Sequence, residues 1–400
     1  MRILLVSDGY PPDPGGLEAH VARLARHLRD RGHLVKVLAA SMSGREAKEA
    51  TGGDDVVRAD ISLARVPGSY QTGAAFHPPW PDPAFRRRAL RVVADFAPDV
   101  VHAHGWSVFS AASLAGTTPV VTTLHDHGMA CPKKTLLRHD RVCERGRGPR
   151  CVTCNADTQP GPRRVALAAA LSATVPWLVR RVSRFLAVSH FVAQSAAGSG
   201  VPRRLLEVVP NFIDIDNGHP AAPAQPPDGV RFFFAGTGSP HKGRQVLLEA
   251  FDRLDSRADV SLTVAGDVVP METNSPRIDD VGRLEGPTLD DAYRKASAVI
   301  VPSVWPEPCP TVALEAMAYG RPVIASAIGG LTDIVADGQS GLLVRPGDAR
   351  ALSDALVRLA DKPEERRAMG AEARRRVGAF SSSAVVPRIE EIYSEVAGGT

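Results

Sequence analysis

Two carboxylates eight positions apart, Glu307 and Glu315, lie in the segment VPSVWPEPCPTVALEAMAYGRPVIASAIG from Val301 to Gly329. Glu307 falls in a Pro-rich turn after the apolar run AVIVPS. Glu315 falls about one to two turns inside the helix that TVALEAMAYG implies. The N–H groups at the start of such a helix have no intrahelical partner and sit at the positive end of its dipole, so an anionic phosphate fits there. A carboxylate beside that phosphate is repelled unless it accepts hydrogen bonds from hydroxyls, and sugars supply hydroxyls. The plainer alternative is one Glu complementing the dipole and one solvated on an exposed face. Lys242, in the loop TGSPHKG after the strand VRFFFAG, is either a phosphate counter-charge before a helix start or an exposed surface lysine.

Further candidates lie in the first half. Gly15 and Gly16 occupy the loop after the first strand, where a missing side chain lets backbone approach a ligand; a turn needing positive φ is the alternative. The glycine pattern is not G-x-G-x-x-G, which weakens a dinucleotide reading. His125 ends the strand VVTTLH, either aimed at a ligand or held as a structural hydrogen-bonded imidazole. Asp126, His127, His102 and His104 are nearby candidates for acceptor contacts. Cys131, Cys143, Cys151 and Cys154 cluster in a basic, Gly-rich loop, with Cys151 and Cys154 in C-x-x-C spacing. Four such thiols resemble a tetrahedral zinc site, which in a reducing compartment outranks disulfides; cysteines without metal are the alternative. Asp214 and Asp216 imitate an Asp-x-Asp metal motif, but their place beside a Pro-rich linker argues against that role.

These residues need elements to position them. Four hundred residues exceed what one core usually serves, so two domains are expected. The expected boundaries are 1–214, with the Cys-rich loop 131–154, and 229–380. Met1 to Asp8 reads as a buried strand, Leu17 to Arg31 has helical spacing, and LVKVLAA follows as a strand, which makes a βαβ unit. DVVHAH, PVVTTLH and FLAVS continue a parallel sheet. After a Pro-rich linker, VRFFFAG, SLTVAGD, AVIVPS and PVIAS alternate with helices in a second one. The fold class is therefore α/β, two Rossmann-like domains, with a ligand crevice expected at the carboxyl ends of the strands between them. A net charge of +4 is mild, and Arg86–Arg88 and Arg374–Arg376 read as solvated helix faces, so no nucleic-acid partner is expected. The longest apolar run, from Val165, contains Pro176 and falls short of the ~20 residues that span a bilayer. MRILLVSDG lacks a secretory cleavage pattern, so the chain is expected in the cytoplasm, with peripheral membrane contact left open.

The order of MRILLVSDGYPPDPGGLEAHVARLARHLRDRGHLVKVLA, VVTTLHD, VPNFID, GSPHKG, the two glutamates and GGLTDIVADGQSGLLVRPGD resembles retaining glycosyltransferases of the GT-B fold, family four (group 1). That resemblance covers nearly the whole chain, and by it a last helix of about 381–400 is expected to cross back to the first domain. It implies a nucleoside-diphosphate sugar as co-substrate and no catalytic cofactor, while the loop around Thr135 to Arg150 and the apolar helix near Trp177 suit a saccharide, lipid carrier or natural-product aglycone as acceptor. It implies that Glu307 holds donor-sugar hydroxyls, Glu315 the ribose, Lys242 the diphosphate and His125 the donor sugar. By the same resemblance Gly15 and Gly16 face diphosphate and acceptor, and Arg283 lines the base pocket. This chain departs from the pattern at Thr237, where an arginine is usual, which leaves the Thr237 hydroxyl, loop N–H groups or Arg244 to compensate. It departs again at Cys309-Pro310, where Phe-Gly is commoner. Proline has no N–H, so the ligand contacts pass to the amides of Cys309, Thr311 and Val312. A nucleotide-sugar epimerase or phosphorylase, or a non-enzymatic zinc-organised binding module, are the competing functions.

Overall fold

The computed structural model describes residues 1–13, 15–41, 55–62, 77–116, 118–138, 141–144, 146–154, 161–215, 229–254, 257–266 and 275–398. Asp216 and the Pro-rich linker after it lie outside them. The chain divides into two compact units, Met1–Pro210 with Val385–Thr400, and Asn211–Ala384.

In the first unit seven parallel strands run in the order β3-β2-β1-β4-β5-β8-β9. They are β1 (Arg2–Ser7), β2 (Leu34–Ser41), β3 (Val56–Asp60), β4 (Val100–His104), β5 (Val120–Leu124), β8 (Arg184–Ala187) and β9 (Leu206–Val208). Between β5 and β8 a small hairpin, β6 (Leu137–Arg138) with β7 (Arg141–Val142), stands apart from the sheet. Every residue of β4 and β5 is buried, as helices on both faces of a parallel sheet require. Helix α1 (Gly16–Asp30) turns His20, Val21, Leu24, Ala25 and Leu28 inward. Helix α2 (Pro83–Phe96) is started by Asp82, whose carboxylate accepts from the amides of Ala84 and Phe85, with Pro83 in the first turn. Helices α3 (Val108–Ala111), α4 (Cys151–Cys154) and α5 (Gly161–Val179) follow. Helix α6 (His190–Gly198) is capped by Ser189. Among the described residues no helix is long and apolar enough to cross a membrane.

The second unit repeats the plan with six parallel strands in the order β12-β11-β10-β13-β14-β15. These are β10 (Val230–Ala235), β11 (Val260–Ala265), β12 (Ile278–Asp280), β13 (Ala298–Val301), β14 (Val323–Ser326) and β15 (Gly341–Val344). Helices α7 (Arg244–Asp252), α8 (Pro287–Lys295), α9 (Thr311–Ala318), α10 (Leu331–Ile334), α11 (Ala349–Asp361) and α12 (Pro363–Arg376) surround them. Phe232, Phe234, Leu247, Phe251, Leu262 and Leu356 lie in its core. The last helix, α13 (Ser382–Gly398), packs with the first unit from Val385 on. There Glu390 pairs with Arg31 and His33 at 2.7 Å each, and Arg388 with Glu207 at 2.5 Å.

Both sheets reverse their winding direction next to their first strand, between β1 and β4 and between β10 and β13. At such a switch point the loops leaving neighbouring strands diverge to opposite faces and leave room for a ligand beyond the carboxyl ends.

Candidate active site

In the second unit the switch point is filled by the loop after β10 and the loop after β13. Gly243 ends the first at φ +75°, and a Cβ there would stand 1.8 Å from the Pro302 carbonyl oxygen, so only glycine lets the two loops close on each other. Gly329, at φ +63°, does the same against Glu307, 2.4 Å from its carbonyl oxygen. This packing brings the Lys242 ammonium to 2.7 Å from Glu307 Oε1, which also accepts the Ser303 hydroxyl at 2.7 Å. The Glu307 side chain is 5% exposed and that of Lys242 27%. The ammonium also lies 5.6 Å from the centre of the Trp305 ring. A buried carboxylate is tolerated because a cation and a hydroxyl both satisfy it.

Helix α9 begins directly after this loop at Thr311, with no side chain capping it, so the Thr311 and Val312 amides stand at an uncapped positive end. Cys309 is buried, its thiol pushed up to about 12 chiefly by that burial, and its carbonyl accepts the Asn211 side-chain amide at 3.0 Å. One turn into α9, Glu315 Oε2 accepts the phenol of Tyr293 at 2.7 Å. Burial first, and the Glu315 charge next, hold the Tyr293 proton on far above the ordinary phenol range, so this hydroxyl is a fixed donor. Sequence reasoning missed Tyr293; its place in α8 at the buried face was the only available signal. Thr237 is exposed, and Arg244 is engaged by Asp280 at 2.9 Å. Arg283 is exposed and paired with Glu285 at 2.6 Å.

In the first unit β1, β4 and β5 end side by side and present Asp8, His104 and His125. His104 Nδ1 and His125 Nε2 share a hydrogen bond at 2.9 Å. The His20 ring on α1 meets that of His125 edge-on at 4.8 Å. His102 lies behind, hydrogen-bonded to the Tyr393 hydroxyl of α13 at 2.6 Å and to Thr123 at 2.8 Å. Burial, reinforced by the neighbouring imidazoles, lowers His102 to about 3 and holds His20 and His104 well below the ordinary imidazole value. These rings are therefore neutral at physiological pH. Asp8 accepts the amides of Trp106 at 2.9 Å and Ser107 at 2.5 Å. His127 is buried with its ring 5.6 Å from that of Phe191.

Gly15 precedes α1 at φ +152°, where a Cβ would reach within 2.1 Å of a Glu18 carboxylate oxygen, whereas a Cβ on Gly16 would meet nothing within 4 Å. Glu18, which sequence reasoning passed over, is raised above the ordinary carboxylate value, mainly by burial.

The four cysteines of the loop are free, and all line one small cavity together with Lys133, Arg138 and Arg150. Burial pushes the Cys131 thiol up to about 11 and raises that of Cys151. Among the described residues the group whose metal-ligating atoms lie close together is His20, His104 and His125, with these atoms within 4.8 Å of one another; the four thiols share a cavity but do not form such a group.

Residues 14–217 match the family described as Glycosyltransferase Family 4, and residues 219–376 that described as glycosyl transferases group 1. The chain is similar to glycogen synthase of Mycobacterium tuberculosis, 28% identical over 423 residues that cover 98% of this chain and 94% of that protein. To the D-inositol 3-phosphate glycosyltransferase of Geodermatophilus obscurus it is 30% identical over 422 residues, covering 96% of this chain and 86% of the other. In fold it is similar to sucrose-phosphate synthase from Thermosynechococcus elongatus, with a TM-score of 0.76 at 20% identity and 100% of both chains covered.

Proposed function

Because this chain belongs to the group 1 glycosyl transferases, with the two Rossmann-like domains of the GT-B fold and a sugar transferred from a nucleotide sugar, we propose that transfer proceeds with retention of anomeric configuration. The acceptor is a hydroxyl of a saccharide, lipid carrier or aglycone.

The observation that carries the reading is the Lys242–Glu307 pair beside the uncapped start of α9. Lys242 and the Thr311 and Val312 amides receive the diphosphate. Lys242 can turn from Glu307 toward phosphate, since a partly exposed ammonium loses little by exchanging one anion for another. The freed Glu307 carboxylate then accepts from donor-sugar hydroxyls, and Glu315, oriented by Tyr293, accepts from the ribose. Arg283 lines the base pocket, and Cys309 supplies a backbone contact.

As the bond to the leaving diphosphate breaks, negative charge grows on phosphate oxygen, and fixed cations and amides stabilise it. The departing phosphate takes the acceptor proton on the same face, which yields retention. His125 contacts the donor sugar, and Gly15 and Gly16 let backbone approach the diphosphate and acceptor. The reading includes no catalytic metal. It includes a structural zinc ion at Cys131, Cys143, Cys151 and Cys154, supported by the cavity that all four line. It places the reaction in the cytoplasm, where such thiols stay reduced.

Incubating nucleotide sugars with candidate acceptors and reading the product anomer by NMR tests this. Retention is expected, with loss of turnover in Glu307→Ala. An inverted product sinks retention, and sugar epimerisation without any acceptor turns the assignment to an epimerase.

A further inference from the structure

Lys134 is the residue through which the cysteine loop reaches the histidine cluster. Its ammonium lies 3.5 Å from an Asp8 carboxylate oxygen and 3.4 Å from one of Asp126. It also lies 4.6 Å from the centre of the Trp106 ring. Asp8 directly follows β1 and Asp126 directly follows His125, so this cation bridges the ends of β1 and β5.

The backbone that delivers Lys134 is tied to His127, whose amide donates to the Lys134 carbonyl at 3.2 Å and whose carbonyl accepts the Cys131 amide at 2.9 Å. Its apolar support is a small cluster of Ala130, Cys131 and Leu136, with Val142, Cys143 and Phe191 against it. The hairpin β6–β7 has two residues in each strand. Lys134 sits at φ +64° and Leu136 at φ +56°, a region that residues with a Cβ seldom adopt. A turn of this kind persists when something outside it fixes its ends.

The cysteines stand at those ends. Cys131 precedes the turn and its carbonyl accepts the Lys134 amide at 2.9 Å. The Cys143 amide donates to Leu136 at 2.7 Å, and the Cys154 thiol donates to the Leu137 carbonyl at 3.7 Å. Four thiolates on a divalent ion carry a net charge of −2, and Lys133, Arg138 and Arg150 line the same cavity to offset it.

Resting on the structural zinc of the proposed function, we propose that the ion closes this loop and thereby holds Lys134 between Asp8 and Asp126 beside His125. Zinc binding forms four Zn–S bonds and releases the four thiol protons to solvent, with no change of oxidation state. The metal then acts at a distance, as the clamp of a positioning lysine.

The test uses the whole chain purified under reducing conditions. Metal content should be about one zinc per chain, and exchange with cobalt(II) should give the thiolate charge-transfer absorption of a tetrahedral sulfur site. Stripping the metal with a chelator should shift the Trp106 emission, taken as wild type minus Trp106→Phe, and re-adding zinc should restore it. Lys134→Met should keep the metal and lose that shift. Affinity for a free nucleoside diphosphate should not change in any of these, so its loss speaks to the donor site alone.

Absence of metal and of the cobalt absorption overturns the proposal. Metal that survives Cys151→Ser with Cys154→Ser but disappears in His104→Ala moves the ion to the histidines and overturns it too. Bound metal whose removal leaves Trp106 emission unchanged keeps the zinc but overturns the coupling to Lys134.

Discussion

Lys242 and Glu307 lie 65 positions apart, and each was visible in the sequence as a charged residue after a strand, but their contact was not. Pairing depends on two glycines that let two loops close, and spacing along a chain carries no such information. The contact makes a prediction. Lys242→Ala strands a buried carboxylate with one hydroxyl for a partner, so stability should fall by about 1–3 kcal/mol, discounted for the part-exposed lysine. Glu307→Gln in the same background should recover most of that loss, measured as a double-mutant cycle of denaturant midpoints. Additive losses would show that the pair does not couple.

His125 was likewise legible as a strand end, while its partner His104 needed the register of β4 on β5. If His125 meets the sugar near the reacting centre, His125→Ala should lower turnover far more than affinity for the bare nucleoside diphosphate. A packing role would instead lower melting temperature and both properties together. The neutral rings add a pH dependence whose sign follows from their depressed values. Unfolded, His20, His102 and His104 take protons near pH 6.5, whereas folded they do not until far lower pH, near 3 for His102. Stability should therefore be flat above about pH 7 and fall steadily below about 6.5, with net uptake of at least about two protons on unfolding near pH 5.5. Calorimetry in buffers of different ionisation enthalpy counts those protons, and an uptake near zero would contradict the buried neutral rings.

At the scale of elements, the strands β1, β2, β4, β5, β8, β10, β11, β13 and β14 were readable because parallel strands buried on both faces are mostly apolar and rich in Val, Ile, Leu and Phe. The edge strands β3, β9, β12 and β15 were not. VVRAD, LEV, IDD and GLLV are short or mixed in polarity, and pairing with a neighbour is what makes them strands. The helix Gly16–Asp30 fell within one residue of the expected Leu17 to Arg31 at each end, since Gly32 stops it. Loop closure gives a paired test. Gly243→Ala places a Cβ against the Pro302 carbonyl at positive φ, so a loss of about 1–3 kcal/mol is expected together with weaker diphosphate binding. Gly16→Ala meets no atom within 4 Å, so it should leave the melting temperature nearly unchanged and impair only ligand approach. Equal melting losses in both would mean that close packing is not what fixes the Lys242 loop.

At the scale of the whole molecule, fold class was legible because two successive rounds of strand and helix, each opening with a strand of nearly pure apolar composition, leave few alternatives to a pair of doubly wound sheets. Composition said nothing of the acceptor. On the proposed reading Lys242 and helix amides at one switch point stabilise the leaving diphosphate, so transfer should persist after catalytic metals are withheld. Strict dependence on manganese, retained in the cysteine variants, would contradict that. The central claim is that Lys242 recognises phosphate. Calorimetric titration of wild type and Lys242→Ala with a nucleoside diphosphate series and the matching nucleosides tests it most directly. The account predicts that at least one diphosphate binds the wild type and weakens at least about tenfold in the variant, roughly 1.4 kcal/mol, while its nucleoside is unaffected. Failure of every diphosphate to bind the wild type, or equal losses for diphosphate and nucleoside, would contradict it.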